Sequence, residues 1–93
     1  MATVEIYTKA SCGFCVRAKR LLEMKKVEYK EIAVDRGGPP KEEMVQRARG
    51  RTTVPQIFID GAHIGGCDAL MTLEYDGKLD ALLAAPRQGS GQA

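Results

Sequence analysis

Four consecutive residues, Cys12-Gly13-Phe14-Cys15, carry the strongest chemical signal in the chain. A thiol attacks as its thiolate, and a helix start or a nearby cation favours that anion. Cysteines three residues apart lie on one face of a helix, within reach of a disulfide. Lys9 stands three residues before Cys12, and Ser11 is placed to cap a helix running from about Cys12 to Met24. Along that helix Cys15, Ala18, Leu21 and Leu22 form an apolar stripe, with Arg17, Lys19, Arg20 and Glu23 outside it. The two sulfurs therefore differ in expectation: Cys12 at the helix start attacks, and Cys15 on the buried stripe resolves. Two other uses of such a pair are half a zinc site and two core cysteines. Zinc sites usually need two such pairs, or a Cys pair with two His. Cys67 and His63 supply neither, so redox chemistry is the preferred use.

A second stretch with chemical potential is Gly65-Gly66-Cys67-Asp68, at the expected junction of a strand and a helix. Glycines permit close backbone approach, and a helix start offers free amides to an anion. An Asp in this place can equally be a helix cap. Cys67 reads as a small buried residue, with a third redox thiol as the alternative. His63 reads as a surface residue of a hairpin. Lys9, Arg49 and Arg51 are candidate anion contacts, although charged residues are more often simply solvated.

These residues need a scaffold, and hydrophobic periodicity outlines one. Thr3 to Tyr7 alternates as a strand, with Glu5 an anomaly for a central position. Val27 to Val34 is a second strand. Gly37-Gly38-Pro39-Pro40 opens a second helix with Met44, Val45 and Ala48 on its apolar side, and Gly50 can end it. Gln56 to Ile59 and Ala62 to Gly65 flank Asp60-Gly61, a strong two-residue hairpin signal. Further helices fit Cys67 to Tyr75 and Leu79 to Ala84. The order βαβ, helix, ββ, helices predicts a right-handed parallel crossover and an antiparallel hairpin in one four-stranded mixed sheet flanked by helices. That α/β layout is the thioredoxin-like fold.

The 93 residues suit one domain, placed at residues 1–85, with a polar Gly/Ser-containing tail at 86–93 expected to be flexible. A net charge of +2 without long basic runs gives no reason to expect nucleic acid. No apolar stretch approaches the ~20 residues of a membrane span. The N-terminus lacks the regions of a secretory signal, so a reducing, cytoplasmic location is expected. The protein is expected to act as a monomer.

Three blocks, Val4 to Cys15 (VEIYTKASCGFC), Arg51 to Asp60 (RTTVPQIFID) and His63 to Asp68 (HIGGCD), resemble the glutaredoxin family in order and spacing. The resemblance covers roughly Ala2 to Leu83 and is closest to the small bacterial glutaredoxin-3 type. It implies a glutathione-dependent thiol–disulfide oxidoreductase with Cys12 and Cys15 catalytic and glutathione as co-substrate. Its partners would be glutathionylated and disulfide-containing proteins, and no metal is required. The same resemblance assigns glutathione binding to Lys9, Phe14, Arg51, Thr53, Val54, Pro55, Gly66, Cys67 and Asp68. It makes Pro55 a cis proline beside the cysteines, leaving the Val54 backbone free to pair with an extended peptide. From residue type alone, Pro55 would merely start an edge strand.

One dipeptide departs from the pattern. Many dithiol members have Pro-Tyr between the cysteines, whereas Gly13-Phe14 is the dipeptide of monothiol members that handle iron–sulfur clusters. This raises an alternative in which two chains each contribute Cys12, with two glutathiones, to a [2Fe-2S] cluster. A thioredoxin served by a flavoprotein reductase fits less well, because Ser11 stands where that family has Trp.

Overall fold

The protein is described by a computed structural model over residues 2–84; the tail expected at 86–93 lies outside the described residues. The first strand, β1 (Val4–Thr8), is central, and the sheet order is β2-β1-β3-β4. β2 (Tyr29–Ala33) runs parallel to β1, from Val4 opposite Tyr29 to Thr8 opposite Ala33. Between them α1 (Gly13–Met24) makes the crossover that a parallel pair needs. β3 (Gln56–Ile59) is antiparallel to β1, with Tyr7 opposite Gln56, and β4 (Ala62–Gly65) is antiparallel to β3. The remaining helices are α2 (Gly38–Arg47), α3 (Cys67–Tyr75) and α4 (Leu79–Ala84). This is the expected four-stranded mixed sheet with helices on its faces.

Successive strand residues point to opposite faces, and the core accordingly splits in two. Val4, Ile6, Ile57 and Ile59 face Ala18, Leu21 and Leu22 of α1, Leu70 of α3, and Leu79 and Leu83 of α4. Tyr7 and Phe58 face the other way, onto Val34, Met44 and Ala48. Glu5 is tolerated on the central strand because Arg47, from α2, donates to it at 2.8 Å. The same guanidinium donates to the Tyr7 hydroxyl at 2.8 Å and lies 4.0 Å from the Phe58 ring centroid. At the hairpin both Asp60 (φ 52°) and Gly61 (φ 82°) take the positive φ that a type I′ turn demands.

The expected elements are all present, with shifted edges. β1 starts at Val4 rather than Thr3, and β2 is shorter than Val27 to Val34 because β1 offers only five residues to pair with. Ser11 does not cap α1; Cys12 does. Its backbone is extended (φ −107°, ψ 109°), and its own sulfur accepts the Cys15 amide hydrogen. No helix among the described residues is long and apolar enough to cross a membrane.

Candidate functional site

The site begins where β1 hands over to α1. The Cys12 Sγ accepts a hydrogen bond from the Cys15 backbone N–H at 3.1 Å, so it occupies the anion-favouring end of the helix. The thiol also donates across to the Val54 carbonyl at 3.7 Å. Cys12 is partly exposed, whereas Cys15, one turn on, is 1% exposed on the stripe with Ala18, Leu21 and Leu22. Burial, then the adjoining Cys12 sulfur, pushes the Cys15 thiol up to about 12. The Lys9 backbone amide and the Lys19 cation act the other way. All three cysteines are free.

The facing wall comes from distant sequence. The Val54-Pro55 peptide is cis, and Pro55 is buried at the entrance to β3. Gly65 has φ +120°, and a Cβ there would meet the Ala69 Cβ at 3.2 Å. At Gly66 a Cβ would stand 3.4 Å from the Pro55 carbonyl oxygen. Gly65 thus provides the positive φ that turns β4 into α3, and Gly66 lies against the Pro55 carbonyl at ordinary contact distance. Gly66, the N-cap of α3, has no side chain to bond the first-turn amides, which remain available to a ligand.

Between these walls lies a cavity of about 330 Å³. Phe14, 56% exposed, stands on the α1 side. Arg51, Thr53, Val54 and Pro55 form one edge, and Gly66, Cys67, Asp68 and Ala69 the other. Eight of the nine residues expected to bind glutathione therefore line one cavity, although they span positions 14 to 68. Lys9 is the exception: it is exposed just before α1 and does not line the cavity. Cys67 lines the cavity yet is only 5% exposed, and burial raises its pKa while the Arg17 cation opposes the shift. Tyr7 is buried in the second core and Tyr75 is 91% exposed at the end of α3, so Phe14 is the aromatic that lines the cavity.

Two residues of the neighbourhood differ from their sequence reading or carry a signal beyond it. His63 is not a free surface residue; it is half-buried, stacked on Phe58 and 2.6 Å from Gln56. Gln56 went unremarked, although a lone amide opening the apolar run Ile57-Phe58-Ile59 is itself a signal of a buried polar contact. Among the described residues no group of three or more His, Cys, Asp or Glu could hold a metal ion.

A partly exposed sulfur at a helix cap, bonded to the Val54 carbonyl on the edge of a peptide-sized cavity with free amides and one carboxylate, defines a thiol–disulfide exchange site of the thioredoxin-like class. The glutaredoxin family profile matches residues 4–64. The chain is 57% identical to Escherichia coli glutaredoxin 3 over 83 residues, covering 89% of this chain and 99% of that protein. A solved Brucella melitensis glutaredoxin superposes with a TM-score of 0.78 at 46% identity, covering 98% of this chain and 95% of the other. A buckwheat glutaredoxin–glutathione complex superposes with a TM-score of 0.78 at 35% identity, covering 88% and 76%. The chain belongs to the glutaredoxin family, whose members are glutathione-dependent thiol–disulfide oxidoreductases, and it resembles the glutaredoxin-3 type.

Proposed function

We propose that Cys12 is the nucleophile of this oxidoreductase and that Cys15 is its resolving thiol. One observation carries the assignment: the Cys12 sulfur is the N-cap of α1 and faces the Val54 loop at the cavity, while Cys15 is buried behind it. On a glutathione mixed disulfide, the Cys12 thiolate attacks the glutathionyl sulfur and releases the target thiol. A second glutathione thiolate then attacks the Cys12–glutathione disulfide, giving oxidised glutathione and free Cys12. On a protein disulfide, Cys12 forms a mixed disulfide with the target. Cys15 attacks the Cys12 sulfur of that bond, and the reduced target leaves behind a Cys12–Cys15 disulfide for glutathione to reduce.

The environment of Cys15 suits this order. In the reduced state the Cys12 sulfur helps to hold Cys15 protonated. Once Cys12 is in a mixed disulfide that contribution is lost, and the Lys9 amide and Lys19 cation then act against burial alone.

Glutathione is seated, in this proposal, with its γ-glutamyl carboxylate on the α3 amides and its ammonium at Asp68. Its peptide backbone pairs with Val54, and its glycyl carboxylate faces Arg51. Lys9, outside the cavity lining, would contribute only long-range charge. The targets are glutathionylated and disulfide-containing proteins. In this proposal the protein acts as a monomer. A single domain over residues 1–85 and a cytoplasmic location complete the proposal; reducing surroundings keep the three thiols free.

The iron–sulfur alternative rests on the Gly13-Phe14 dipeptide alone. The donors of one chain do not fit a metal centre, since a cluster on Cys12 would need ligands from a second copy and from glutathione. A visible absorption band after anaerobic purification would support it.

The test of the main assignment is reduction of a glutathione mixed disulfide coupled to glutathione reductase. The native protein is expected to turn over, and Cys12→Ser to lose roughly three orders of magnitude or more. Retention of activity in Cys12→Ser would remove Cys12 from the nucleophile's role.

A further inference from the structure

Gln56 is the only polar residue of β3, and it is fully buried directly after the cis peptide of the cavity loop. A buried amide must find partners for both its N–H groups and its carbonyl. Its Nε2 lies 3.0 Å from the Thr53 carbonyl oxygen and 3.2 Å from the Thr53 Oγ1. Its Oε1 lies 2.6 Å from the His63 Nε2. The Thr53 carbonyl can only accept, so the amide nitrogen has to face Thr53 and the amide oxygen has to face His63. It follows that His63 Nε2 carries a hydrogen and donates it to Gln56.

His63 is anchored in turn. Its ring stacks on Phe58 with centroids 5.0 Å apart and planes 29° apart. Phe58 is 1% exposed beneath the Arg47 guanidinium, which Glu5 and Tyr7 hold by hydrogen bonds. A continuous row of fixed groups thus runs from the second core to Thr53, which lines the cavity beside the Cys12-facing Val54.

We propose that Gln56, oriented by His63, is a positioning residue that sets the Thr53-Val54-Pro55 edge for the backbone of the bound thiol peptide. It acts on affinity for the peptide and leaves the sulfur chemistry of Cys12 alone, because its contacts end at Thr53. The proposal rests on the assignment of the cavity to glutathione.

The experiment is steady-state kinetics on a glutathione mixed disulfide, with Cys12 alkylation rate as a second readout. Gln56→Met removes both contacts at similar volume and should raise KM about five- to tenfold, the scale of one net hydrogen bond. The value of kcat and the Cys12 alkylation rate should change by less than about twofold. Gln56→Glu still accepts from His63 but cannot donate to the Thr53 carbonyl, and it should raise KM likewise. His63→Leu removes the donor that orients the amide and should raise KM several-fold, whereas His63→Gln, which can place an N–H near the same point, should restore it. If the Gln56 variants fail to fold, the His63 pair decides the matter, since His63 is half-buried on a hairpin. An unchanged KM in these variants alongside a lowered melting temperature would make the network a packing device and overturn the proposal. Asp68→Ala, run in parallel, separates the two levels. A KM that rises with Asp68→Ala but not with Gln56→Met or His63→Leu rejects the positioning role alone. A KM insensitive to all of them rejects the glutathione cavity as well.

Discussion

The two walls of the cavity are built on different principles. The sulfur wall is one helix turn: Cys12 caps α1, Cys15 follows on the buried stripe, and a single hydrogen bond of 3.1 Å links them. Its geometry is local and repeats wherever a helix starts. The binding wall is assembled from the Arg51-to-Pro55 loop and the start of α3, with Gly65 in a positive-φ conformation at the junction. In the proposed assignment, chemistry sits on the short-range half and recognition on the half that depends on long-range packing. Substitutions should divide accordingly: those in the sulfur wall alter turnover, and those in the loop wall alter affinity or folding.

Gly65→Ala should show the largest effect on the loop wall. The position has φ +120°, and the added methyl would meet the Ala69 Cβ at 3.2 Å. Strain at such a backbone angle costs about 1–3 kcal/mol, so denaturant unfolding should show a loss of that order, together with a raised KM for glutathione. A stability equal to native would mean that the junction tolerates displacement and that close approach is not what builds this wall.

Asp68→Ala should sharpen the division between affinity and folding. The carboxylate is exposed in the first turn of α3 and makes no cap bond at Gly66, so its structural contribution is a helix-dipole effect of about 0.5 kcal/mol. If it pairs with the ammonium of glutathione, KM should rise about tenfold, the equivalent of ~1.4 kcal/mol, with kcat nearly unchanged. A clear loss of melting temperature with normal kinetics would make Asp68 only a first-turn stabiliser of α3.

The smallest expected effect concerns the sulfur wall at alkaline pH. The folded Cys15 thiol titrates near 12, above its ordinary value of 9.0. Between those values the unfolded chain binds fewer protons than the folded one, so stability is full below about pH 9 and declines as pH rises toward 12. One such group contributes at most about 1.4 kcal/mol per pH unit. Cys67 is raised in the same direction by burial, so Cys15→Ala should make the decline between pH 9 and 10 shallower without abolishing it. Denaturant midpoints measured across that interval check this, and an unaltered slope in Cys15→Ala would contradict the raised value.

The contrast between the walls also explains what could be read before the fold was in view. The Cys12-to-Cys15 spacing, the stripe through Leu22 and the Asp60-Gly61 hairpin are short-range patterns, and each reappears at its expected place. The cavity's other edge is not readable from residue type, because Val54 meets Cys12 only across 42 positions of chain. There the resemblance to a family supplied the expectation. Contacts between side chains far apart in sequence accounted for the misses. Glu5 reads as an anomaly until Arg47 is seen beside it. His63 reads as a surface residue until Phe58 and Gln56 are placed against it. The cap was misplaced from Ser11 to its neighbour because a sulfur is a poorer acceptor than a hydroxyl, and only the extended backbone of Cys12 shows that it took the position.

The division of labour between the two sulfurs is tested most directly by Cys15→Ser, assayed side by side on a glutathione mixed disulfide and on a protein disulfide. The first substrate needs one protein thiol, because the second attacking thiol comes from solution. The second needs Cys15, whose proximity to the Cys12 mixed disulfide amounts to a high effective concentration. Cys15→Ser is expected to keep deglutathionylation within about threefold of native and to lose protein-disulfide reduction by roughly a hundredfold. Loss of deglutathionylation in a folded Cys15→Ser protein, or normal reduction of the protein disulfide, would contradict the roles assigned to Cys12 and Cys15.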